Sequence, residues 1–300
     1  MTRKLIELVD TQPLPNLISI RALRPDEVLF VDSRATQKMT KRLRNVIKRD
    51  IRVHTLTLPD RYSPIDIFQR LDARVSDLGW GKKKIIVNVS GGNRPEAFAA
   101  YELAKWHDAV LADLEWVKKD WYVRLYRFSE GRPVLKSNVR LPGVITLPEY
   151  LNIHLPGYVE EGSITRKHGR TDEGGVFEKA LYEAIAPEVD EILAGVRPKG
   201  VRNQIEIDLI IRRGNEVGII EAKTGVNKAG IDQLSTAGDE DYLGEYLTKF
   251  LITGRRLTPE IRALAQAQQV RVIELPGYDF HRGIPPNERA FMLQVIRSAM

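Results

Sequence analysis

Acidic and basic side chains interrupt otherwise apolar runs in one stretch of the chain, Ile205 to Thr224, IEIDLIIRRGNEVGIIEAKT. Gly214-Asn215 between two β-branched runs signals a two-residue hairpin turn, which pairs Arg213 with Glu216 and sets the register outward from there. Counting along it, Asp208 falls opposite Glu221 and Glu206 opposite Lys223. Period-two alternation puts all four on one face. Directly opposed residues have Cβ atoms about 4.5 to 5.5 Å apart, where like charges repel. Glu206 with Lys223 reads equally well as an ordinary cross-strand ion pair. Asp208 opposite Glu221 does not, because two carboxylates in a hairpin that is apolar on both sides call for a cation between them. A one-residue slip of the turn would undo the arrangement.

Upstream, the helical pattern VFEKALYEAIAPEV marks Phe177, Leu181, Tyr182 and Ile185 as its buried side, and Glu178 shares that side. By itself Glu178 also suits the boundary of an amphipathic helix; with Asp208 and Glu221 it makes a candidate three-carboxylate metal site. The chain has no cysteine, which excludes disulfides, thiol nucleophiles and cysteine zinc sites. Its five histidines (His54, His107, His154, His168, His281) show no paired ligand spacing. Oxygen ligands point to a hard cation such as Mg²⁺ or Mn²⁺. A second candidate lies in NVSGGNRPEAFAAYELA, where Ser90, Gly91, Gly92, Asn93 and Arg94 separate an apolar strand from a helix with Pro95 in its first turn. Glycines allow close backbone approach, and N–H groups at a helix N-terminus attract phosphate. The loop is neither a P-loop, lacking GK[ST], nor GxGxxG, and such a turn is also an ordinary connection in α/β folds.

These residues must be positioned by regular elements. Strands are predicted at 5–9, 27–33, 52–58 and 84–90, alternating with helices at 36–48, 63–79 and 95–106. That alternation implies a parallel sheet with helices on both faces, a Rossmann-like domain. Residues 121–128 and 133–139 add an antiparallel hairpin around Glu130-Gly131. From about 141 to 175, prolines and glycines punctuate a polar segment, read as the boundary between a first domain (1–145), a linker (146–172) and a second domain (173–300). The second domain is α/β: a helix, the hairpin, a helix from about Ile231, strands at 249–253 and 270–275 with a helix between them, and a C-terminal helix. A hydrophobic content of 43% over 300 residues suits two cores. The formal charge of +6 is compatible with a polyanionic partner. No apolar run approaches the roughly 20 residues of a membrane span, and the N-terminus lacks a signal-peptide pattern, so a cytoplasmic protein is expected.

The order helix-Glu178, strand-Asp208, hairpin, Glu221-Ala222-Lys223 resembles the PD-(D/E)XK nuclease superfamily, with Ile207 where the signature has proline. The opening ELVDTQPLPNLISIRALRPDEVLFVDS, together with NVSGGNRPEAFAAYELA, resembles CARF domains, the ligand-sensing Rossmann modules of type III CRISPR systems. Joined, the two resemble the CRISPR ancillary nuclease family. The resemblance implies a Rossmann-like CARF domain followed by a restriction-endonuclease-like α/β domain. It implies a homodimer that binds cyclic oligoadenylate, typically cyclic tetra-adenylate, and then cuts DNA or RNA with a metal in antiviral defence. Asp208, Glu221, the Ala222 carbonyl and Glu178 would hold Mn²⁺ or Mg²⁺ and acidify a water. Lys223 would orient that water, with Glu206 beside it and Gln233 near the phosphate backbone. The activator would lie over the carboxyl ends of the parallel strands, against Gln12, Ser33, Arg34, Gln37 and the loop Ser90, Gly91, Gly92, Asn93 and Arg94, with Arg94 as phosphate partner. Ser33 and Gln37 equally suit helix caps. Two rival readings are a sensor that grips nucleic acid without cutting and a restriction or repair nuclease that needs no ligand.

Overall fold

Residues 3–81, 84–160, 173–200, 205–225, 228–239 and 242–300 are described by the structure, a computed structural model. The chain divides into two units, Met1–Ile145 and Thr146–Met300. In the first, strand and helix alternate as β1 (Lys4–Leu8), α1 (Leu14–Leu23), β2 (Glu27–Ser33), α2 (Gln37–Ile47), β3 (Arg52–Leu58), α3 (Pro64–Asp77), β4 (Ile85–Asn88), α4 (Arg94–Trp106) and β5 (Val110–Val117). β6 (Asp120–Ser129) and β7 (Arg132–Arg140) follow as the expected hairpin. The sheet order is β3-β2-β1-β4-β5-β6-β7, with the first five strands parallel and the last two antiparallel. Ile67, Leu71 and Val75 of α3 and Ala99, Ala100 and Leu103 of α4 pack against Ile6, Leu8, Val31 and Val87 on one face.

Alternation turns Glu7 to the opposite face, where Asn16 and Ser19 of α1 reach it. Neither α1 nor β5 is among the predicted elements. In α1, Leu14, Leu17, Ile18, Ile20 and Leu23 are all buried, so it shows no polar stripe, and it starts beside Pro13.

The second unit contains α5 (Leu147–His154), β8 (Gly157–Glu160), α6 (Glu173–Ile185) with a 3₁₀ turn at Ala186–Glu188, β9 (Glu191–Lys199), β10 (Ile207–Arg213), β11 (Glu216–Lys223), α7 (Ala229–Ala237), β12 (Leu247–Thr253), α8 (Pro259–Ala267), β13 (Val270–Glu274) and α9 (Pro286–Ala299). Its sheet runs β13-β12-β11-β10-β9-β8, parallel from β11 to β13 and antiparallel from β11 to β8. Phe177 and Leu181 of α6 and Met292 and Ile296 of α9 cover one face with Leu209, Ile211, Ile220 and Phe250. Each such fully buried side chain contributes about 1.5 to 3 kcal/mol.

The segment read as a linker contributes to this unit as far as Glu160. α5 opens on a capping box, Thr146 with Glu149, and buries Leu147, Tyr150, Leu151 and Ile153. The Tyr150 hydroxyl donates to the Leu243 carbonyl at 2.6 Å. Residues 161–172 lie outside the described residues. Among the described residues no helix is long and apolar enough to cross a membrane.

Candidate functional site

The β10–β11 ladder has the expected register: Arg213 with Glu216, Ile211 with Gly218, Leu209 with Ile220. Gly214 has φ +62°, the first central position of a II′ turn, which glycine reaches without steric cost. One step beyond the last ladder pair, Asp208 Oδ2 accepts the Ala222 N–H at 2.7 Å, which ties the carboxylate to the strand carrying Glu221. Glu221 is only 2% exposed. The Lys223 ammonium lies against its Oε1, and that oxygen accepts no well-aligned hydrogen bond.

α7 starts over this pair. A Cβ on Gly230 would stand 3.2 Å from Glu221 Cγ and 3.0 Å from Leu251 Cδ1, so glycine permits the close approach. Gly230 is a site residue that the sequence reading missed, because nothing in TGVNKAG separates it from a turn glycine.

Burial pushes the Glu221 carboxyl up, the Asp208 charge pushes it further, Lys223 opposes both, and Glu178 adds a smaller upward push. Burial works to lower Lys223, but Glu221, Asp208 and Glu178 outweigh it and raise its pKa. Three carboxylates against one ammonium leave an excess of negative charge, the setting that favours a bound cation. The donor set therefore fits a hard divalent ion. Among the described residues, however, no three Asp, Glu or His side chains converge closely enough to hold one. Phe177 and Leu181 of α6 pack with Leu209, Ile211, Ile220 and Ala222 on the apolar face of β10 and β11, and Glu178 bears on Glu221 and Lys223 through its charge.

Glu206 departs from expectation. It pairs with Arg197 of β9 at 2.9 Å, not with Lys223. The β9–β10 register, Ile207 with Val196, sets Arg197 across from Glu206, while Lys223 turns to Glu221 two residues back on its own strand. Gln233 is half-buried on α7.

In the first unit the strand order reverses between β1 and β4, the topological switch point at which open α/β sheets bind ligands. The loops after these two strands meet there. A Cβ on Gly91 would fall 2.1 Å from the Leu8 carbonyl oxygen. Gly92 has φ +70°, and its Cβ would fall 2.5 Å from Glu96 Oε2. Gly91 is thus required by backbone contact within the protein, and Gly92 by its left-handed conformation.

Asn93 caps α4: its Oδ1 accepts the Glu96 N–H at 3.0 Å, and Glu96 Oε2 accepts the Asn93 N–H at 2.8 Å. Buried Glu96 also takes Arg61 at 2.7 and 3.0 Å, and Asn93 Nδ2 donates to the Arg61 carbonyl at 3.1 Å. The Ser90 hydroxyl donates to Asn88 Oδ1 at 2.6 Å and accepts the Leu114 N–H. The side chains of Ser90 and Asn93 therefore hold the loop, whereas Arg94 is exposed at the first residue of α4.

Ser33 is buried, and its N–H donates to Thr36 Oγ1 at 3.1 Å in the turn into α2. Arg34 and Gln37 are exposed beside it, and Gln12 is half-buried in the β1–α1 loop. Arg61 and Glu96 were missed by the sequence reading, although the Asn-x-x-Glu spacing of a capping box marked Glu96.

The architecture defines a two-unit α/β protein: a Rossmann-like sheet with a glycine loop at its switch point, followed by a six-stranded mixed sheet covered by helices. Residues 5–115 match the Card1 CARF domain family, so the first unit is a CARF-like domain. No curated protein matches the chain. Among solved structures, the chain is similar to Can2 from Sulfobacillus thermosulfidooxidans in complex with cyclic tetra-adenylate. The TM-score is 0.75 at 13% identity, over 99% of this chain and 99% of that one. It is similar to protein VC1899 from Vibrio cholerae, with a TM-score of 0.73 at 14% identity over 99% and 98% of the two chains. A type III CRISPR defence DNA nuclease activated by cyclic oligoadenylate matches with a TM-score of 0.60 at 14% identity, over 86% of this chain and 46% of that one. The resemblance to the CRISPR ancillary nuclease family holds in these comparisons, by family over most of the first unit and by fold over the whole chain.

Proposed function

We propose that this chain senses a cyclic oligoadenylate, cyclic tetra-adenylate foremost, at the switch point of its first unit and in response cuts DNA or RNA at the Asp208, Glu221 and Lys223 cluster of its second, in type III CRISPR antiviral defence. The observation that carries the reading is the Card1 CARF match, because residues 5–115 span both loops that meet at the switch point. The Can2 neighbour, solved with cyclic tetra-adenylate, supports the ligand class.

In this reading Arg94 and the N-terminal amides of α4 meet the ring's phosphates. Asp208 and Glu221 would hold Mn²⁺ or Mg²⁺, with the Ala222 carbonyl as a further donor and Glu178 adding its charge. When bound, the ion neutralises charge at the scissile phosphodiester and supplies an acidified water. Lys223 positions the attacking oxygen and stabilises charge on the phosphoryl oxygens. Asp208 is held in place by the Ala222 N–H, and Gly230 keeps α7 close enough to exclude bulk water from Glu221.

A ring of repeated units suits a two-fold pair of sensors. Ile65 and Phe98, 70% and 62% exposed, flank an apolar groove of about 290 Å³ between α3 and α4, the face proposed for self-association.

Incubating plasmid and single-stranded nucleic acids with Mn²⁺, with and without cyclic tetra-adenylate, tests the reading. Cleavage that needs both is expected. Cleavage without the nucleotide would instead indicate a nuclease that needs no ligand. Nucleic-acid binding without cleavage would favour a second reading, a non-cleaving sensor, which the lack of three converging carboxylates among the described residues supports.

A further inference from the structure

Beneath the glycine loop lies a polar cluster that the proposed chemistry does not use. Glu7, in the interior of β1, is fully buried. Asn16 Nδ2 donates to its Oε2 at 2.9 Å, Asn88 Nδ2 donates to Oε1 at 3.2 Å and Oε2 at 3.1 Å, and the Ser19 hydroxyl donates to Oε1. Two of these donors lead to the loop. Asn16 Nδ2 also donates at 2.9 Å to the Leu8 carbonyl, the oxygen on which Gly91 is seated. Asn88 Oδ1 accepts the Ser90 N–H at 3.1 Å and the Ser90 hydroxyl at 2.6 Å.

We infer that Glu7 is a positioning residue for the activator loop: by orienting the amides of Asn16 and Asn88, it sets where Gly91 and Ser90 stand at the switch point. A carboxylate can accept at both oxygens at once, which locks both amides the same way round; no neutral side chain of that shape can. Buried polar groups joined in this way hold one geometry because each alternative leaves a donor unsatisfied.

The groups around Glu7 carry no charge: Asn16 and Ser19 from α1, Asn88 from β4 and Phe30 level with it on β2. Asp32, two residues beyond Phe30 on β2, accepts from Thr57 at 2.7 Å. Burial pushes Glu7 up to about 7, against the hydrogen bonds from Ser19, Asn16 and Asn88 that lower it. A protonated Glu7 can donate to the Ser19 oxygen, whose own proton then goes to the Asn16 carbonyl at 3.2 Å. That change weakens the hold on both amides.

The inference rests on the sensing reading, and one arm of its test does not. Glu7→Gln keeps the volume but turns one acceptor into a donor facing an asparagine amide. Ser19→Ala removes one donor to Glu7 and serves if the first variant does not fold. In the free protein, amides Ser90 to Asn93 are expected to exchange with deuterium about tenfold faster in Glu7→Gln than in wild type. Calorimetry is expected to show a Kd for cyclic tetra-adenylate raised about tenfold at neutral pH. It is also expected to show the wild-type Kd changing between about pH 5.5 and about pH 8 in a way the variant lacks. A folded variant with wild-type loop exchange overturns the inference, as does one with wild-type affinity and pH profile. If wild type binds no ring, the sensing reading fails and loop exchange alone decides the role of Glu7.

Discussion

Replacing Glu7 with glutamine is expected to remove a pH dependence from the stability of the first unit. Burial raises this carboxyl from 4.5 to about 7. Because the folded value lies above the unfolded one, folding favours the protonated form. Below about pH 4.5 both states carry the proton and there is no penalty. From there to about pH 7 only the unfolded chain ionises, so stability falls as pH rises, and above about pH 7 the whole cost is present. A rise of about 2.5 pH units at ~1.4 kcal/mol each amounts to about 3.5 kcal/mol, of which about 2 kcal/mol is lost between about pH 5.5 and about pH 8. That is a large part of the roughly 5 to 15 kcal/mol that holds a domain together. All four tryptophans, Trp80, Trp106, Trp116 and Trp121, lie in the first unit, so urea unfolding followed by tryptophan fluorescence reads this unit alone. Wild type is expected to lead Glu7→Gln most at the acid end, and its advantage to shrink by about 2 kcal/mol toward pH 8. A stability difference that stays constant across that range would refute the raised pKa of buried Glu7.

Five further outcomes follow from the two sites and the self-association face. Glu221→Ala is expected to abolish cleavage in Mn²⁺ or Mg²⁺ while leaving melting temperature and ring binding intact, since it removes a carboxylate whose burial is itself costly; retained cutting would remove the metal site. Lys223→Met is expected to slow cleavage about 10²- to 10³-fold. Glu206→Gln, whose partner is Arg197, is expected to cost under about 1 kcal/mol of stability and to cleave near the wild-type rate; equal rates for the two variants would contradict the observed pairing. Arg94→Ala is expected to raise the activation constant about tenfold or more, with activity surviving at saturating ring, as a titration of cleavage rate would show. Phe98→Glu is expected to yield monomers by light scattering and to abolish activation, and a dimer that survives the charge would move the self-association face elsewhere.

What was legible depended on how far each residue's partner lies along the chain. The Gly214 turn and its alternating strands are local, so the register from Arg213 to Leu209 followed from counting. Glu206 was misplaced because its partner sits on β9, a strand whose Gly195 and Pro198 conceal it; Pro198 is tolerated because it pairs with the edge strand β8. Glu7 lies in LIEL, a run already read as a strand, and its three donors come from residues 9, 12 and 81 positions away, two of them on a helix too apolar to show a stripe. Glycine tells the same story at both sites. Gly91 and Gly230 look like turn residues in the sequence, yet each is seated against a specific atom, the Leu8 carbonyl in one unit and Glu221 Cγ in the other. In both units a glycine brings a helix or loop within contact of the strand end beside which a buried carboxylate lies. Close backbone approach, more than the identity of the charged residues, is therefore what makes each polar cluster a closed site, and it is the feature that spacing alone does not carry.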